Sequence, residues 1–94
     1  MSMSHAKSFV EKFFEDDEFT KTVVRKRQFS RNESNKEKAE NEKMIKAANE
    51  LGFNFNEEEY IEANKEYMNK LTGWEAAKKV FHIVKVAAYV SQEN

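Results

Sequence analysis

Few side chains in this 94-residue chain could do chemistry. The two histidines, His5 and His82, stand far apart, and neither has an acidic partner at ligand spacing, so no protein-built metal site is expected. The acidic runs Asp16, Asp17, Glu18 and Glu57, Glu58, Glu59 could suit acid–base work or calcium. Both instead sit where a helix begins, where capping and the helix dipole account for them, and neither alternates as an EF-hand loop does. There is no cysteine, hence no disulfide, thiolate ligand or cysteine nucleophile. No serine lies in a nucleophile elbow, no glycine-rich loop could cradle a phosphate, and no candidate base has an orienting partner. The chain reads as a non-enzyme with no cofactor and no metal.

One cluster could bind phosphate: Lys21, Arg25, Lys26, Arg27 and Arg31, with Phe29 as a stacking ring. Lysine and arginine at the end of a helix also complement its negative dipole end. Neighbouring acids cancel much of the field, so no nucleic-acid partner is expected. Charge is balanced overall, at −1, but unevenly spread. Residues 1–31 carry 7 basic and 5 acidic side chains, residues 32–73 carry 6 and 10, and residues 74–94 carry 3 and 2.

These groups must be positioned by helices. The chain has no proline and only two glycines, each at a plausible helix end, so little interrupts a helical reading. Ser4 can cap a first helix with Phe9, Val10, Phe13 and Phe14 on one stripe, ending near Glu15. The acids at 16–18 then cap a second, with Phe19, Val23 and Val24 inward and Arg25, Lys26 and Arg27 in its last turn. Residues 25–43 are polar and read as either a lengthened helix or a loop; Ser30 with Glu33, or Ser34 with Glu37, could form a capping box there. The third helix is marked by Met44, Ile45, Ala48 and Leu51.

Residues 47–63 form the sharpest feature. Gly52 stands where a helix end needs the left-handed conformation, and Phe53 where the chain folds back on the last turn. Asn56 and Glu59 make a capping-box pair, with Phe55 and Tyr60 at the two positions of a hydrophobic staple. A fourth helix follows with Tyr60, Ile61, Asn64, Tyr67, Met68 and Leu71 on a narrow face, ended by Gly73. Residues 74–94 place Trp74, Ala77, Val80, Phe81, Val84, Ala87, Ala88 and Tyr89 on a wider apolar face, able to lie on a core, a partner or a membrane surface.

The fold expected is a small irregular all-α bundle of four to five short helices. Its core is Phe9, Phe13, Phe14, Phe19, Val23, Ile45, Ala48, Leu51, Phe53, Phe55, Tyr60 and Ile61. A chain of this size buries only about 60–65% of its unfolded surface, so that core is thin. With no signal peptide and no apolar run near the ~20 residues that span a bilayer, a cytoplasmic location without a transmembrane segment is expected.

The succession Ala6, Phe9, Phe13, then Asp16, Asp17, Phe19, then 47–53 reading Ala-Ala-Asn-Glu-Leu-Gly-Phe, then Phe55-Asn56-Glu57-Glu58-Glu59 and Ala63, resembles the Nif-eleven-like leader peptide family. The likeness covers about three quarters of the chain. It implies a helical leader domain, residues 1–73, at the front of a ribosomally made, bacteriocin-like peptide precursor. The partner implied is a peptide-modifying enzyme or a peptidase-containing transporter. The family's double-glycine cleavage site falls at Thr72 and Gly73, with Lys70 at a position the family keeps apolar, and the stretch 25–43 is longer than the family carries. Residues 74–94 are then either a core-peptide-like tail or an integral fifth helix of the same domain. A released tail with a single Ser91 and no cysteine could not form thioether rings. Tyr67, Met68 and Leu71, at i, i+1 and i+4, are the expected partner-binding residues, because helix-in-groove docking uses such anchors. The alternative function is a small interaction module that self-associates through its C-terminal helix as a homo-oligomer.

Overall fold

Ser2 begins the fold. In the computed structural model, which describes residues 2–27 and 36–92, its side chain accepts a hydrogen bond from the His5 amide at 3.3 Å and caps α1, Met3–Glu15. Ser4, the expected cap, lies inside that helix and is exposed. Asp16 serves two helices: its amide closes the last turn of α1 on Lys12, and its carboxylate accepts from the Phe19 amide at 3.1 Å to open α2, Asp17–Arg27. Thr20 locks the joint, its buried hydroxyl donating to the carbonyls of Phe13 and Asp16. A buried hydroxyl is tolerable only with such partners.

The described chain resumes in α3, Lys36–Glu50. Within the polar stretch 25–43, residues 25–27 belong to α2 and residues 36–43 to α3, and residues 28–35 lie outside the described residues. The capping serines Ser30 and Ser34 lie outside the described residues. At the end of α3, Gly52 has φ +96°. The Gly52 amide bonds the Asn49 carbonyl at 3.1 Å and the Phe53 amide the Ala48 carbonyl at 3.0 Å, the paired bonds of a Schellman motif. Asn56 then caps α4, Glu57–Asn69, in a complete capping box with Glu59, and the Phe55 and Tyr60 rings stack at 6.0 Å across the helix start.

A second capping box, Thr72 with Glu75, starts α5, Gly73–Ser91. Gly73 therefore opens the fifth helix; it does not end the fourth, which stops at Asn69 with Lys70 as a right-handed cap. The only positive φ among the described glycines is at Gly52. The misreading has a simple source, since a glycine after an apolar stripe looks the same whether it stops one helix or starts the next.

Helix α1 lies against α4 and α2, α2 lies between α1 and both α3 and α5, and α3 closes on α4. Phe9 is the centre, with no exposed surface and ring contacts of 5.4–6.4 Å to Phe13, Phe19, Phe53, Phe55 and Tyr60. Around it are buried Ala6, Val10, Val23, Met44, Ala47, Ala48 and Ala63, the alanines letting helix backbones approach. Phe14, Phe19, Ile45, Leu51, Phe53 and Tyr60 pack on this core half-buried. Ile61 does not: it is 48% exposed. Helix α4 turns Tyr60, Ala63 and Tyr67 inward, and at 100° per residue Ile61 falls well off that face. Hydrogen bonds also tie the start of α1 to the corner after α3, from the Ser2 amide to the Asn54 carbonyl at 2.9 Å, and from the Asn54 amide to the His5 side chain at Nδ1, 3.0 Å.

Candidate interaction surface

Tyr67, Met68 and Leu71 lie on and just beyond the last turns of α4, and all three are half-buried. Tyr67 stacks on Phe14 at 5.2 Å and 9°, and its hydroxyl donates to the Glu15 carboxylate at 3.2 Å. Much of its ring is thus occupied within the bundle. Burial first, and then the Glu15 carboxylate beside it, pushes the Tyr67 hydroxyl up to about 12. The folded state holds this proton more tightly than the unfolded chain, where tyrosine titrates near 10. The stability linked to it is complete below about pH 10 and is lost as pH rises toward about 12. Tyr67→Phe keeps the stack and removes the titration. Urea unfolding at about pH 9 and about pH 11 should therefore show a smaller loss for the variant than for the wild type. Equal losses would remove the Tyr67–Glu15 bond as the cause.

Thr72 and Gly73 are exposed, but they form the N-cap and first residue of α5. Hydrogen bonds from Thr72, the backbone one foremost, hold the Glu75 carboxyl below its ordinary range. A peptidase cutting after Gly73 would first have to open this cap.

The basic cluster is partly neutralised. Lys21 faces Glu18 at 3.5 Å and Lys26 faces Glu50 at 3.7 Å, while Phe29 and Arg31 lie outside the described residues. His5 is a structural acceptor at the corner, and His82 meets Asp17 at 2.6 Å, joining α5 to α2. Among the described residues no group of three or more His, Asp or Glu side chains could hold a metal ion. A depression of about 580 Å³ between α3 and the start of α4 is lined by Glu42, Ile45, Lys46, Asn49, Glu50 and Glu57, a set of mixed charge.

No family model, curated protein or solved structure matches this chain. Among the described residues, α5 carries most of the exposed large hydrophobic side chains. Val86 and Val90 close a small second cluster with Val24 of α2, Ala87 packs beside it, and Ile83 reaches the main core. The other side of the helix is open: Trp74 is 71% exposed, Phe81 69%, Val84 58% and Val80 49%. Tyr89 is also exposed, with the Lys21 ammonium 5.1 Å from its ring. Of the wide apolar face read from the sequence only Ala87 packs on the bundle; the residues that dock α5, Ile83, Val86 and Val90, lie outside that face. Periodicity shows the width of an apolar arc but not how many partners share it. None of the described helices is long and apolar enough to cross a membrane.

Proposed function

We propose that this chain is a non-catalytic leader-type domain of a peptide precursor, or a stand-alone relative, that binds a maturation or export enzyme through exposed helix surface. One observation carries the reading. Most of the apolar residues that make the chain resemble leader domains also organise its core. Ala6, Phe9, Phe13, Ala47, Ala48, Phe55 and Ala63 are buried together, and Gly52, Asn56 and Glu59 form the corner that sets α3 against α4. The likeness thus includes the residues that set the helices against one another, while its acidic members Asp17, Glu50 and Glu58 lie on the surface.

The partner-binding residues proposed are Met68 and Leu71, with the outer edge of Tyr67. They are accessible at the end of α4 beside the Thr72 cap, where an enzyme could grip the domain ahead of residues 74–94. The test is co-purification with any peptide-modifying enzyme or peptidase-containing transporter found in its gene neighbourhood. Met68→Ala with Leu71→Ala should weaken such a complex about tenfold or more, as truncation of interface anchors does. Unchanged affinity removes this surface. A native product with the intact, unmodified mass of the whole chain removes the precursor reading and leaves the stand-alone one.

A further inference from the structure

We propose that the open face of α5 seats the domain on an anionic lipid surface, lying flat at the headgroup level. Val80, Val84, Phe81 and Trp74 follow one another around roughly a third of the helix at 100° per residue, directly beside Lys85 and Lys78. Trp and Phe on one arc with lysines along its edge is the make-up of interfacial helices, in which rings enter the headgroup boundary and ammonium groups stay at anionic phosphates. The Lys78 ammonium lies 5.3 Å from the Trp74 ring centre, so cation and ring already share one edge. The nearby acids are engaged elsewhere, Glu75 in its capping box and Asp17 against His82.

Charge is unevenly divided among the helices. Helix α5 carries three lysines against one acid and α2, on which it docks, four cations against two acids, whereas α4 carries five glutamates against one lysine. Helix α4 packs on α1 and α3, and α5 on α2, so the acidic and basic helices have different neighbours. A like-charged lysine edge opposes pairing of two α5 faces. A bilayer surface is soft and envelops a convex ridge from both sides, so it needs no matching groove.

The sequence contains its own probe, because Trp74 is the sole tryptophan. With the full chain and vesicles of phosphatidylcholine containing about one third phosphatidylserine, Trp74 emission should shift to the blue, and the protein should sediment with the vesicles. Pure phosphatidylcholine should bind it far less. Lys78→Gln with Lys85→Gln should weaken partition about 30-fold, and added salt should do the same for the wild type. Phe81→Asp with Val84→Asp changes only exposed positions and should abolish binding while leaving helicity intact. Absence of sedimentation with anionic vesicles overturns the proposal. So does a blue shift that appears with protein concentration in lipid-free buffer, where sedimentation velocity would show a self-associated α5. The outcome is independent of the enzyme-binding surface at Met68 and Leu71, which the Phe81→Asp, Val84→Asp variant leaves untouched.

Discussion

Phe9→Ala is expected to remove about 3–5 kcal/mol of stability, the cost of deleting a fully buried phenylalanine. A domain of this length has about 5–14 kcal/mol in total at typical per-residue values, so the variant should be marginal or largely unfolded. The size of the effect follows from position. Phe9 touches five other rings from α1, α2, the corner and α4, and a void there leaves each helix without its common neighbour. Phe14, half-buried, stacked on Tyr67 and edge-to-face with Phe13, should cost distinctly less as Phe14→Ala. Urea unfolding followed by far- and near-ultraviolet circular dichroism measures both. Equal costs for the two variants would mean that the core is not centred on Phe9.

The parts of this structure that could be read from the chain are those encoded by local geometry. The Gly52 turn, the Asn56–Glu59 box and the Phe55–Tyr60 staple each need only residues within a few positions of one another, and all three formed as their types require. The all-α bundle of short helices followed from the same periodicities. Thr72 with Glu75 carries the same local signature, masked by Gly73, which in sequence suits the end of a helix as well as the start of one.

What could not be read depends on partners distant in sequence. Ser2 caps α1 in place of Ser4 because the Ser2 amide is also held by the Asn54 carbonyl, more than fifty residues away. Ile61 and Tyr60 are adjacent and both apolar, and only the placement of α4 against α1 and α3 decides which one is buried. Thr20 is a polar residue whose burial rests on two carbonyls at the α1–α2 joint, an arrangement with no signature in composition. The same limit applies to the interaction surface. Tyr67 has the type and spacing of a docking anchor, but Phe14 and Glu15, on another helix, take up its ring face and hydroxyl.

Two adjacent valines should show how far α5 is a separable layer. Val23 and Val24 are 100° apart on α2; Val23 is fully buried in the main core, and Val24 lies in the small cluster with Val86 and Val90. An aspartate at either site would be an unpaired carboxylate, costing several kcal/mol if it stayed buried. Val23→Asp has no inexpensive escape, since the main core must open, so global unfolding is expected. Val24→Asp can be relieved by letting α5 leave, which limits its cost to the free energy of docking that helix. A detached segment of 19 residues is only marginally helical in water. Hydrogen exchange of Val24→Asp should therefore show α5 amides losing protection by roughly 10- to 150-fold, the equivalent of one buried valine, while α1 amides keep most of theirs. If α1 and α5 lost protection together, the two clusters would form one cooperative core, and α5 would be as integral to the bundle as α4. If they separate, the layer that presents Trp74 and Phe81 is held by three valines, Ile83 and the His82–Asp17 contact, a foothold small enough for a partner or a lipid surface to shift.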